Sequence, residues 1–159
     1  MKALVVIDLQ KEFINKNTKR AIKEISELIK KDNFDEIIFS KFINSQNNPT
    51  YINLAWKGCL TEESQKICIN TESSKIIKKD TYTVFNSEFI DYINKKNIDE
   101  IYLCGIDIEC CVLTTALNLF ENNYNVYVLK KYCYCMSGTR NKRNALEILK
   151  RNIGENRII

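Results

Sequence analysis

Asp8, Lys79 and the adjacent pair Cys110–Cys111 are the side chains of this sequence whose types and positions suit covalent chemistry. Each stands just beyond a short apolar run: Asp8 after Ala3–Ile7, Lys79 after Ser74–Lys78, and the two cysteines after Glu100–Cys104. A thiol supplies a nucleophile, a carboxylate a proton acceptor and an ammonium a fixed cation, the set needed for acyl transfer through a thioester. The 159 residues contain no histidine. That absence removes Ser-His-Asp triads, Cys-His dyads, imidazole bases and histidine-ligated zinc together. A cysteine placed directly before a helix starting at Val112 would meet unpaired N–H groups and the positive helix end, which favour a thiolate. Position alone does not choose between Cys110 and Cys111. Cys104, inside a strand, reads as core.

The elements that must hold these groups alternate along the chain. Ala3–Ile7, Glu36–Phe42, Ser74–Lys78, Glu100–Cys104 and Asn125–Leu129 read as strands, several of them continuous apolar runs of the kind buried on both faces of a parallel sheet. Helices are predicted over Thr18–Lys31, from an Asn86 or Ser87 cap through Ile93, over Val112–Asn122 and over Ala145–Ile153. Residues 44–73, with the single proline Pro49, read mostly as loop with a short helix near Thr61–Gln65. Arg157–Ile159 could add a short sixth strand. Alternation without a break in composition predicts one α/β domain over residues 1–159, with right-handed crossovers and ligands beyond the carboxyl ends of the strands. Asp8, Lys79 and Cys110–Cys111 all fall on that edge.

Composition narrows the function further. The seven cysteines (59, 68, 104, 110, 111, 133 and 135) are odd in number, two are adjacent, and no apolar leader precedes them. This predicts a reducing, cytoplasmic setting rather than a secreted disulfide framework. There is no C-x-x-C pair, and Cys133 and Cys135 form an isolated C-x-C, so the spacing predicts no metal site. Lys plus Arg (24) exceeds Asp plus Glu (20) by too little to indicate nucleic acid, and no run is long enough to span a membrane. Only four glycines are present and none forms a phosphate loop, which disfavours a nucleotide-binding Rossmann protein and leaves a small-molecule substrate without a cofactor.

Three blocks, ALVVIDLQKEF (Ala3–Phe13), KDTYTVF (Lys79–Phe85) and CGIDIECCVLTTALNLFENNYNVYVL (Cys104–Leu129), resemble those of the isochorismatase-like cysteine hydrolases, which include nicotinamidase-related amidases. The resemblance implies a Rossmann-like, three-layer α/β/α sandwich with a mostly parallel sheet of five or six strands, assembled as a homo-oligomer. It implies a catalytic triad of Asp8, Lys79 and Cys111, choosing Cys111 over Cys110. It further implies a cis peptide at Ile106–Asp107 that aims the Asp107 and Cys111 N–H groups into an oxyanion hole. By analogy with members of the family, Phe13, Trp56 and Ile108 would line the substrate pocket.

The sequence departs from the family pattern at two places. Many members carry a small residue at the position of Asp107 and threonine at that of Ile108, so the pocket around the carbonyl would be altered or acidic. Nicotinamidases of the family bind a metal through an aspartate and histidines after the second strand, where this chain reads Lys41-Phe42-Ile43-Asn44-Ser45. The expectation is therefore a metal-independent cysteine hydrolase cleaving a small carbonyl substrate at an amide C–N bond. One alternative is a catalytically weak member serving as a binding or assembly protein. A second is a redox protein using Cys110–Cys111 or Cys133/Cys135.

Overall fold

The computed structural model describes residues 1–31 and 33–159. Five strands, β1 (Lys2–Ile7), β2 (Glu36–Phe42), β3 (Lys75–Lys79), β4 (Glu100–Ile106) and β5 (Asn125–Tyr134), form one sheet in the order β3-β2-β1-β4-β5. Every pairing is parallel. Among the described residues, five α-helices accompany them: α1 (Arg20–Lys31), α2 (Pro49–Leu54), α3 (Ser87–Lys95), α4 (Leu113–Glu121) and α5 (Thr139–Ile153). The α/β/α sandwich is thus present, with a wholly parallel sheet.

β1 is apolar without alternation because it lies centrally and is covered on both sides. Ala3, Val5 and Ile7 pack into one core with Phe89 and Ile93 of α3, Ala116 and Leu119 of α4, and Leu149 and Ile153 of α5. Leu4 and Val6 face the other core, beneath Ala21, Ile25 and Leu28 of α1. Burying such side chains contributes about 1.5–3 kcal/mol each. The direction of strand succession reverses between β1 and β4, so their carboxyl ends flank the crevice where ligands of such sheets bind.

Several boundaries differ from expectation for physical reasons. β5 continues five residues past Leu129 through Lys130 and Lys131, which are exposed; charged residues are tolerated there because β5 is a sheet edge. Arg157–Ile159 adds no strand: Glu155–Arg157 is a 3₁₀ turn, and Ile158 makes a single bridge to Val128. Residues 61–65 form turns rather than a helix. α2 instead lies in the stretch read as loop, started by Asn48, whose side chain accepts from Thr50 N, with Pro49 in the first turn. α5 begins at Thr139, ahead of the expected Ala145, through a polar segment that lacks apolar periodicity. A π-helical turn, Ile108–Val112, precedes α4, so Cys111 lies inside a wound segment and not before a helix.

Candidate active site

Asp8 is the first residue after β1, and its backbone takes φ 47°, in the left-handed region that aspartate tolerates better than most residues. Ser40 of β2 anchors it twice: Asp8 N donates to Ser40 Oγ (3.0 Å), and Ser40 Oγ donates to Asp8 Oδ1 (2.6 Å). Lys79, the last residue of β3, places Nζ 2.7 Å from Asp8 Oδ2, in an ion pair whose side chains are 1% and 0% exposed. Nζ also donates to the carbonyls of Thr81 and Tyr82, both at 3.0 Å. Those two bonds and the ion pair use all three ammonium protons. Apart from Lys79, Oδ2 has no hydrogen-bond donor among the described residues. A buried carboxylate oxygen in that state is ready to accept a proton.

Cys111 completes the cluster, 6% exposed in the π-helical turn ahead of α4, where the charges of Asp8 and Lys79 act on its thiol. Burial, and then the Asp8 carboxylate, hold its thiol well above the usual range; Lys79 opposes them without prevailing. The resting group is therefore a neutral thiol, which corrects the expectation of a thiolate stabilised by a helix end. Burial also works against the charge of Lys79, but Asp8 and then Cys111 outweigh it and raise its pKa. The resting charge is accordingly an Asp8–Lys79 ion pair beside a protonated thiol.

The turn beyond β4 sets the thiol's position. Gly105 has φ 117°, and a Cβ there would stand 2.1 Å from Ile7 O, so only glycine lets β4 approach β1 this closely. The Ile106–Asp107 peptide is cis. Cys110 N and Val112 N both donate to Asp107 O (3.1 Å each), winding the segment around Asp107. Asp107 Oδ1 accepts from Met136 N (2.8 Å) and ties this turn to the segment after β5. Burial chiefly raises Asp107 to about 6, with Glu109 adding to the shift and the Met136 bond opposing it.

A cavity of about 180 Å³ opens onto Cys111. Its walls are Phe13, Phe42, Leu54, Trp56, Tyr82 and Met136, with Thr50, Asp107 and Cys110 completing the lining. Trp56 stacks on Phe13 (5.9 Å, 16°) and tilts against Phe42 (5.8 Å). Of the residues expected to line a pocket, Phe13 and Trp56 do so. Ile108 does not: it is fully buried in the core with Val112 and Ala116, because the π-helical turn directs it inward. Sequence reasoning missed Ser40, whose signal is one polar residue directly after the apolar Ile37-Ile38-Phe39 run. It also missed Asn44, which is 4% exposed and donates to Trp56 O (3.0 Å) and Gly58 O (2.9 Å) while accepting from Ser45 N and Thr50 Oγ1.

An isochorismatase-domain profile matches residues 2–155, and the chain belongs to the isochorismatase family. It is similar to isochorismatase family protein 2A of Dictyostelium discoideum, 27% identical over 137 residues, which are 80% of this chain and 63% of that protein. The chain thus spans less than two thirds of that curated relative's length. The fold is shared with the pyrazinamidase of Pyrococcus horikoshii in complex with zinc (TM-score 0.84, 22% identity, 99% of this chain and 98% of that one). It is shared also with the pyrazinamidase/nicotinamidase of Streptococcus mutans (0.86, 19%, 100% of both chains) and the N-carbamoylsarcosine amidase of Thermoplasma acidophilum (0.81, 18%, 96% and 92%).

The residues at the end of β2 and just beyond it do not fit a metal. Lys41 is a cation, and Asn44 has its amide oxygen and nitrogen already committed to the backbone and to Thr50. Among the described residues, the ligand atoms of Asp107, Glu109 and Cys135 come within 4.8 Å of one another. Hydrogen bonds account for that trio: Cys135 Sγ donates to Glu109 Oε2 (3.0 Å), Ser137 Oγ to Glu109 Oε1 (2.8 Å) and Met136 N to Asp107 Oδ1.

Proposed function

We propose that this protein is a cysteine hydrolase that cleaves the amide C–N bond of a small substrate, without a metal, through a thioester on Cys111. The observation that carries this reading is the buried Asp8–Lys79–Cys111 cluster at the cavity, where Asp8 Oδ2 has no donor other than Lys79. The amidases that share the fold support the choice of bond.

In this mechanism Asp8 Oδ2 accepts the Cys111 proton as sulfur bonds to the carbonyl carbon. The N–H groups of Asp107 and Cys111 hold the resulting oxyanion, where losing one donor typically costs about 10²–10³ in rate. Collapse breaks the C–N bond, and Asp8 passes its proton to the leaving amine. Water then attacks the thioester, gives a proton to Asp8 and releases the acid; the sulfur recovers that proton. Lys79 holds Asp8 in place throughout. Ser40 fixes the other carboxylate oxygen, leaving Oδ2 for the proton.

The test is ammonia release across a panel of small carboxamides, with intact-mass detection of an acyl adduct. Turnover that survives Cys111→Ser at the native rate, or no adduct and no ammonia with any amide, would exclude this reading. Cytoplasmic location, assembly as a homo-oligomer and action on a free small molecule belong to the same proposal. No helix among the described residues is long and apolar enough to cross a membrane.

A further inference from the structure

The cavity beside Cys111 is lined by ten residues, and only one of them, Asp107, carries a charge. The nearest cation, Lys79, is 4% exposed and has no proton left to offer, since Asp8 and the carbonyls of Thr81 and Tyr82 take all three. The aromatic side chains of Phe13, Phe42 and Trp56 also line the cavity, Trp56 stacked on Phe13 and Phe42 with the Lys79 ammonium over its ring (5.1 Å). An acid entering this space would lose its hydration, find no positive partner and meet a carboxylate of its own sign. A cation would meet aromatic side chains and that same carboxylate.

We infer that Asp107 is a specificity-determining residue that makes the pocket a charge filter: it takes amides whose non-reacting end is uncharged or cationic and rejects those bearing an acid. The inference rests on the cavity being the substrate site of the proposed hydrolase, and it deepens that reading by naming the substrate's charge class. Asp107 holds its place through Met136 N, a contact an asparagine at the same position keeps through its Oδ1. Charge and position are therefore separable by mutation. The titratable groups facing Asp107 are Glu109 and Cys110 on its own turn and Cys135 just after β5. None of these is a cation that would offset it.

Three planar amides of nearly equal size read the filter: terephthalamide, 4-carboxybenzamide and 4-amidinobenzamide, with succinamide, succinamate and 3-amidinopropionamide as the smaller aliphatic set. Trp56 is the sole tryptophan and lies in the cavity wall, so its fluorescence reports binding to the Cys111→Ser protein, where turnover does not interfere. In at least one set the acid should bind at least ~100-fold more weakly than the neutral amide, and the amidine at least as tightly. Asp107→Asn should narrow the gap between acid and neutral amide by roughly tenfold or more, a ratio that a merely structural role would leave fixed. Below about pH 6, where Asp107 takes up its proton, the gap should also shrink. Equal or tighter binding of the acid, an unchanged ratio in Asp107→Asn, or no binding by any of the six compounds overturns the inference. The filter with no hydrolysis by the native protein would sink the hydrolase reading and leave this one standing.

Discussion

At the residue scale, the resting thiol and its acceptor stand in an arrangement that separates thiol acidity from activity. Asp8 raises the Cys111 pKa and Lys79 lowers it. Replacing Asp8 by asparagine should therefore make the thiol more acidic while removing the group that takes and returns its proton. The iodoacetamide–pH profile of Cys111 should move to lower pH in Asp8→Asn, as turnover falls by about 10²–10⁴. Lys79→Met should move the same profile upward and also lower turnover, since it strands a buried carboxylate; its stability should fall by about 3–5 kcal/mol. Because the three groups act on one proton, the double variant should lose far less than the product of the single losses. Profiles that shift the opposite way, or fully multiplicative rates, would mean that the three side chains do not share a proton. Asp8, Lys79 and the Cys110–Cys111 pair were legible in the sequence because each ends or follows a recognisable run at one sheet edge; the choice of Cys111 came from the family resemblance, not from position. Ser40 and Asn44 were not, because their roles are side-chain contacts, Ser40 with Asp8 in another strand and Asn44 with the backbone of Trp56 and Gly58, which spacing does not encode.

At the element scale, the site depends on two neighbouring strand ends, β1 with Asp8 and β4 with the turn that carries Asp107 and Cys111. They can meet because Gly105 has no side chain: a Cβ would lie 2.1 Å from Ile7 O and 2.7 Å from Ile7 N, and φ is 117°. Gly105→Ala should thus destabilise the protein by about 3 kcal/mol or more, combining left-handed strain with a backbone collision. Denaturant midpoints measure this, and a loss under about 1 kcal/mol would show that the β1–β4 contact has slack. The strand pattern was readable because burial on both faces leaves continuous apolar runs in β1, β2 and β4. It failed where burial is one-sided or absent. The exposed Lys130–Lys131 stretch of β5 and the six-residue α2 show too little periodicity to register. α2 still left a local trace, Asn48 followed by Pro49, and it brings Thr50 and Leu54 to the cavity that a loop assignment concealed.

At the scale of the whole molecule, the seven cysteines give the fold a shared titration. All are free thiols, and five are buried: Cys59, Cys104, Cys111, Cys133 and Cys135. Burial is the leading cause that pushes Cys59 and Cys133 up from 9.0 to about 12, and Cys104 and Cys111 are raised well above 9.0. In the unfolded chain these thiols ionise near 9, while in the native state they stay protonated beyond it. Between pH 9 and about 12 the unfolded state therefore binds fewer protons, and stability must fall as pH rises. The loss is complete only once pH passes the native values. For Cys133, a shift of about three units corresponds to roughly 4 kcal/mol, a large share of the ~5–15 kcal/mol that stabilises an ordinary domain. Tyrosines contribute later, since Tyr92 and Tyr102 rise from 10.0 to about 12, so the interval from pH 9 to 10 belongs mainly to the thiols. Denaturation under reductant, followed by Trp56 fluorescence, should show the midpoint falling steadily across that interval. Cys133→Ala removes one of these protons, and its slope should be shallower by about 1 kcal/mol per pH unit. A native midpoint that stays flat to pH 10, or a Cys133→Ala slope equal to the native one, would mean that the buried thiols do not set the alkaline limit of this fold.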